Sequence, residues 1–474
     1  MTYLNNDFLT RRAFLERSSF AGTILGLEPI LKLRGLVSRS TGDINSANWS
    51  RFGYDLCNSR FNSNETTIGR KNVGQLNLRW TFEADAPIQN CPAVVGNTLY
   101  FGSWDGHYYA INANTGQLKW KSDLLLSPLE SGFYEIRSSP AHLNGRIYFG
   151  TGSAKMHCLN AETGEEIWQT LLDAEPLNDA QITCSPVVYQ DMVFVGTSSG
   201  NSQIACLDAE TGKVRWKFFV VPSSKIAGGA VWTAPAIDEE YGILYNVTGS
   251  VKGFQPAGPM LYTESVLAHD LYTGELLWYY QPRPADTHDL DFGSHPMIFD
   301  AVSPLQRGAV RQCVGAGKKD GFYCLDRYTG EKYWRTMLTD AGEAGGPRMS
   351  STAVAYNQVF MVSNANPPKG PMSVTAALNA YTGEIEWWVP NMVRIRAPVA
   401  VANGVLYQGL TDGNLEALDT RSGRQLWRYQ LPSPHRGGFA IANGILYASN
   451  GELSLDGQAS TDRYSIYAFS TSDK

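Results

Sequence analysis

The 474-residue chain predicts an all-β fold, an eight-bladed β-propeller with tryptophan-docking motifs. Three observations carry that prediction. A short phrase, Asx-x-x-Thr/Ser-Gly-x-x-x-Trp, occurs seven times, ending at Trp120, Trp168, Trp216, Trp278, Trp334, Trp387 and Trp427. Its spacing of 40 to 62 residues marks an array in which each unit buries its face on the next. The chain is also rich in Gly (46) and Tyr (24) and has few long helical patterns, as an all-β chain requires. Finally, each end of the array carries a fragment that is a complete unit only when joined to the other.

Taken in order, residues 1–45 read as a leader and 46–474 as a single propeller domain. Thr10-Arg11-Arg12-Ala13-Phe14-Leu15, followed by SSFAGTILGL, resembles a twin-arginine export signal, with a disordered leader as the alternative. Export implies a periplasmic or secreted protein, and the apolar run is too short for a membrane span. The unit that follows is clearest before Trp168. IRSSPAHLNGRIYFGTGSAKMHCLNAETGEEIW gives an apolar run, a turn at Asn144-Gly145, the strand RIYFG, a polar turn, the strand MHCLNA, a Thr-Gly turn and a last strand. Four short strands with tight turns make one blade. In the phrase the glycine supplies positive φ and the Asx side chain bonds local N–H groups, while the tryptophan stacks between blades. Seven such units leave PHRGGFAIANGILYASNGEL through YSIYAFS as three strands after Trp427, and NLRWTFEA around Trp80 as a lone outer strand. Trp80 then completes the last blade and the ring has no free sheet edge.

A formal net charge of −6, from 39 basic and 45 acidic side chains with no basic run, argues against nucleic acid as a partner. The seven cysteines form no C-x-x-C pair and no C-x-x-C-H site, which excludes a cysteine zinc site and attached c-type haem. Most sit in apolar strands, where a buried free thiol is the ordinary reading.

NWSRFGYDLCNSRFNSNETTIGRKNVGQLNLRWTF, VWTAPAIDEEYGILYNVTG, DTHDLDFGSHPMIF and GAGKKDGFYCLDRYTG together resemble the quinoprotein dehydrogenases that bind pyrroloquinoline quinone, most of all the polyvinyl-alcohol dehydrogenase branch. The likeness runs from Asn48 to Ser470. The resemblance implies a cofactor at the centre of the ring, on a tryptophan floor matched by Trp232. It places Arg137 on a cofactor carboxylate, where a planar fork fits. Gln89, Thr183 and Ser199 fall at further contact positions. Lys319, with Lys318 beside it, matches the cation that stabilises the reduced quinone oxygens. Asp289 matches the general base that takes the alcohol proton. It also implies a Ca²⁺ or lanthanide site, which here would draw on Asp289, Asp291, Ser202 and Ser250; the two serines replace the usual glutamate and asparagine, a poor exchange for a cation that prefers charged oxygens.

Three classes of function follow. The first is a quinone-dependent dehydrogenase oxidising a small alcohol, secondary ones included, and passing electrons to an external cytochrome c or quinone. The second keeps the pocket without redox chemistry, with Asp289, Asp291, His288 and His295 as acid/base groups. The third is a non-catalytic scaffold, since the phrase alone is silent on catalysis.

Overall fold

The computed structural model describes residues 48–124, 136–173, 181–198, 202–221, 228–251, 260–284, 289–339, 350–364, 371–451 and 464–471. Eight antiparallel sheets follow one another along the chain, seven with inner strands beginning at Ala93, Ala141, Val187, Ala236, Met297, Ala353 and Ala400. The eighth has Phe439–Ala442 innermost, then Ile445–Ser449, Tyr464–Ser470 and, outermost, Asn77–Ala84 from the start of the chain. Trp80 pairs with Ala468 there, so the predicted closure by both chain ends is what the structure shows.

The phrase works as its chemistry requires. Asn112 Oδ1 accepts from the N–H groups of Asn114 and Thr115 at 2.9 and 3.0 Å, an Asx turn. The phrase glycines have φ of 69–78°, and a Cβ on any of them would come within 2.5–2.8 Å of the tryptophan of the preceding blade. Each indole therefore lies flat on the next turn. Trp120 and Trp168 donate to the carbonyls of Ala161 and Ala209, both at 3.1 Å, and Trp427 donates to Leu76 at 3.0 Å across the closure. Trp216 and Trp278 dock without such a bond among the described residues; beside Trp278, the Arg327 carbonyl is held by the Tyr245 hydroxyl at 2.6 Å. The stack thus rests on area and shape more than on the N–H group.

Connectivity sorts the loops between two faces. In an antiparallel four-stranded blade, the inner-to-second and third-to-outer turns emerge on one face. The second-to-third turns and the crossings between blades emerge on the other. All seven phrases lie on the first, the phrase face. Gln89, Arg137, Thr183, Trp232, Asp289, Asp291, Ser250 and Lys319 all lie in crossings or second-to-third turns, on the second, the crossing face.

The bore between the inner strands is not open. Residues 49–62 run round inside it and bond to the innermost strand of every blade. Trp49 exchanges two backbone bonds with Val94 at 2.7 and 2.8 Å; Ser50, Leu56, Cys57, Ser59 and Arg60 offer carbonyls to His142, Ile237, Ile298, Val354 and Val401 at 2.8–2.9 Å. The side chains of Arg51 and Asn62 reach the carbonyls of Val188 and Ile441. Asn58 Nδ2 spans three more carbonyls, those of Ala234, Pro235 and Pro296, at 2.9–3.2 Å. Arg60, fully buried, stacks over Phe52 at 4.7 Å. This ring of backbone crosses the bore at the level of the inner strands.

The described cysteines are free, and all but Cys57 are buried. No described helix is long and apolar enough to cross a membrane.

Candidate active site

Two loops build the centre. The crossing that leads to Met297 carries Asp289 and Asp291, and the tight turn between the strands Val310–Lys318 and Gly321–Asp326 carries Lys319. They are tied through the backbone: Lys319 N–H donates to Asp291 O at 3.0 Å, and Phe292 bridges Lys318. Lys319 Nζ then lies 2.7 Å from Asp289 Oδ2 and 2.7 Å from Asp291 Oδ2, and also donates to Asp289 O at 2.5 Å. Asp291 Oδ1 accepts from Ser250 N–H at 2.6 Å and from Ser250 Oγ at 2.7 Å.

The two carboxylates differ in setting. Asp291 is almost buried, with its side chain 8% exposed, whereas the Asp289 side chain is 39% exposed. Burial pushes the Asp289 carboxyl above the ordinary range, helped by its hydrogen bond to Asp291 and that group's negative charge, with Lys319 opposing. Burial pushes Asp291 the same way, but the Lys319 charge, with the hydrogen bonds from Asp289, Lys319 and Ser250, outweighs it and holds Asp291 below the range. Two neighbouring carboxyls pushed apart make a charged anchor and a proton-handling partner. Asp289 is the accessible one, on a backbone with φ of 57°.

Trp232 stands at the edge of this cluster. A Cβ at Gly249 would lie 2.6 Å from Cη2 of Trp232 and 2.9 Å from Oδ1 of Asp291. Glycine there lets the indole edge and the carboxylate converge, and the half-buried ring offers a platform beside the acids. Arg137 lies across the ring, half-buried, its guanidinium 4.7 Å over Trp104. Thr183 Oγ1 meets Ser198 Oγ at 3.2 Å, and Gln89 is half-buried in its crossing. Ser199 and His288 lie outside the described residues.

Several expectations change in detail. Of the adjacent lysines, Lys319 reaches the acids; Lys318, fully buried, pairs with Glu264 at 2.7 Å and donates to Leu290 O, the carbonyl between Asp289 and Asp291. Ser250 joins the cluster, but Ser202 is buried with its hydroxyl unpartnered among the described residues. His295 is not an available acid/base group: its Nε2 faces Asn58 O at 3.1 Å, and burial, with Arg60 nearby, lowers its pKa to about 3.

The repeat exposes residues that motif reading missed. Ile182, Val231 and His435 each donate their N–H to the residue just after the preceding blade's second strand, Thr151, Thr197 and Leu410. Thr183, Trp232 and Arg436 therefore hold one register position. Ile136 and Ile395 mark the same place, bound through their carbonyls by Asn90 and Asn364, which puts Arg137 and Arg396 in it too. Arg396, Arg436, Gln89 and Arg137 thus occupy four consecutive blade crossings, a basic arc on the side of the ring away from Asp289. The arginines are half-buried and the Nε of each is buried. Counting back from each inner strand, as in IRSSPA, IRAPVA and HRGGFA, would have found them.

A cleft of about 550 Å³ lies on the phrase face, lined by Arg70, Tyr356, Glu386 and Arg421 among others, and shares no residue with this cluster. Burial raises the pKa of the Tyr356 hydroxyl there.

Two family models match parts of the chain. The family described as "Outer membrane protein assembly factor BamB" matches residues 75–278, which stops short of Asp289 and Lys319. The family described as "Glucose/ethanol/alcohol dehydrogenase, beta-propeller domain" matches residues 222–352, which contain Trp232, Ser250, Asp289, Asp291 and Lys319. A polyvinylalcohol dehydrogenase of Pseudomonas sp is 26% identical over 85% of this chain and 73% of its own length. Among solved structures, the quinohemoprotein alcohol dehydrogenase from Comamonas testosteroni superposes with a TM-score of 0.78 at 19% identity, covering 91% of this chain and 81% of that one. A europium-containing methanol dehydrogenase gives 0.77 at 18%, covering 89% and 98%. The chain is similar to the quinoprotein alcohol dehydrogenases in sequence, and shares their eight-bladed fold.

Proposed function

We propose that this chain is a pyrroloquinoline-quinone-dependent dehydrogenase that oxidises an alcohol, secondary alcohols among its substrates, to a carbonyl. The observation that carries the reading is the meeting of Asp289, Asp291 and Lys319 at the edge of Trp232, on the crossing face of the ring. The residues fit a planar anionic quinone: an indole to stack on, a guanidinium at Arg137 for a carboxylate, and a cation at Lys319 for quinone oxygen. Bound there, the quinone supplies the acceptor for the hydride that leaves the alcohol carbon.

The chain's own groups do the rest. Asp289 Oδ accepts the hydroxyl proton as the carbon–oxygen double bond forms, since it is the exposed member of the pair. Asp291, charged and held by Ser250, keeps Lys319 in place, and Lys319 carries the positive charge that the transition state needs. The ring of backbone below keeps water from entering through the bore. Export through the twin-arginine-like leader and electron transfer to a separate cytochrome c or quinone belong to the same reading. In the test, purified protein is titrated with the quinone and followed by absorbance. Dye reduction is then measured on adding 2-propanol or a short polyvinyl alcohol. Saturable binding with alcohol-dependent reduction, lost in Asp289→Asn while binding persists, is expected; binding without any reduction, or no binding, would refute it.

A further inference from the structure

A polyvalent cation does not fit the described residues. Ca²⁺ takes six to eight oxygens, and lanthanide ions are equally hard. Asp291 has Oδ1 filled by two donors from Ser250 and Oδ2 filled by Lys319, while Asp289 Oδ2 is filled by the same ammonium. The Ser250 hydroxyl spends its proton on Asp291, and Ser202 makes no contact with the pair among the described residues. No group of three or more His, Cys, Asp or Glu suited to a metal occurs among those residues.

We propose that the ε-ammonium of Lys319 is the resident cation of this site, standing between the two carboxylates, and that the site works without a metal. The geometry is that of a seat already taken. Nζ makes three contacts with oxygens of Asp289 and Asp291 at 2.5–2.7 Å, one of them the Asp289 carbonyl. The turn that carries Lys319 is fixed, its N–H bonded to Asp291 O and the neighbouring Lys318 locked to Glu264, so the side chain starts beside the acids. A divalent or trivalent ion entering here would face a fixed positive charge within contact distance and would have to break bonds at both acids. The same ammonium offsets one of the pair's two negative charges and leaves Asp289 accessible.

The proposal rests on the quinone reading for its functional half, so the test has two arms. In the first, Tb³⁺ is added to the metal-stripped protein and its tryptophan-sensitised emission is recorded, with Trp232 as the antenna beside Asp291. The wild type is expected to show no saturable emission. Lys319→Ala should gain a 1:1 site, which Asp291→Asn in that background abolishes, and Lys319→Arg should remain silent. Lys319→Gln serves if the alanine variant does not fold. A saturable 1:1 site in the wild type, or none in either neutral variant, overturns the proposal. In the second arm, the quinone is titrated into wild type in EDTA, in Ca²⁺ and in La³⁺. Equal affinity within about twofold is expected, and a gain of roughly tenfold or more with a metal overturns it. Absence of quinone binding in all three solutions would refute the functional reading, while the Tb³⁺ arm would still decide who occupies the seat.

Discussion

The fold should lose stability on mild acidification, and the cause is three histidines. His269, His295 and His435 are fully buried, and burial lowers the pKa of each to about 3. Neither ring nitrogen of His269 or His435 has a hydrogen-bond partner among the described residues, and His435 instead stacks on Phe439 at 4.6 Å. In the unfolded chain each titrates near pH 6.5. The native state therefore binds fewer protons than the unfolded state between about pH 6.5 and 3, so stability is complete above that window and falls as pH drops through it. From pH 7 to 5 the cost is about 2 kcal/mol per histidine and about 6 kcal/mol for three, a large share of a typical 5–15 kcal/mol. Asp55, Asp238 and Asp289, pushed up by burial, act in the opposite sense as pH falls through their raised folded-state values. Urea midpoints at pH 7, 6 and 5 measure the slope. His435→Phe keeps the ring stack and should remove about a third of it, and adding His269→Phe about another third. A stability that is flat between pH 7 and 5, or a slope untouched by both changes, would show that these rings are not neutral and dry.

Gly116→Ala forces a Cβ to within 2.8 Å of Trp80 at φ +73° and should destabilise the ring closure by about 2–4 kcal/mol in a denaturant series. Asn58→Ala deprives three buried carbonyls of a donor and should cost about 3 kcal/mol or more, read as a drop in thermal midpoint. Glu264→Gln leaves Lys318 charged and unpaired, so it should cost about 3–5 kcal/mol, whereas Glu264→Gln with Lys318→Met should cost less than that single change in a double-mutant cycle. Arg396→Gln and Arg436→Gln should each weaken binding of the tricarboxylate quinone by roughly tenfold, measured by equilibrium titration, with the unfolding midpoint little changed.

The ring was legible because its determinants are local and repeated. The phrase states a turn, a positive-φ glycine and a docking indole within nine residues, and the fragment around Trp80 is recognisable as an outer strand without a blade. The bore-lining segment was not legible. Residues 49–62 follow no strand period, because their partners are single carbonyls and N–H groups on eight different blades, each supplied by geometry rather than by a sequence match. Arg60 shows why: a buried arginine surrounded by carbonyls and aromatic rings looks, in sequence, like any surface arginine.

The site divides along the same line. Trp232, Asp289 and Lys319 stood out because they interrupt the repeat in stretches that match as a whole. What the residue types could not give was their mutual charge balance. Two aspartates spaced by one residue read as an incipient metal site, and a Lys-Lys pair reads as one useful cation with a spare. In three dimensions the turn sends Lys318 to Glu264 and Lys319 to both aspartates, so each carboxylate in the group already contacts an ammonium. Ser250 fits the same arrangement, since a hydroxyl that donates to Asp291 supports the aspartate that holds the lysine, whereas Ser202, buried and unpartnered among the described residues, takes no part in it.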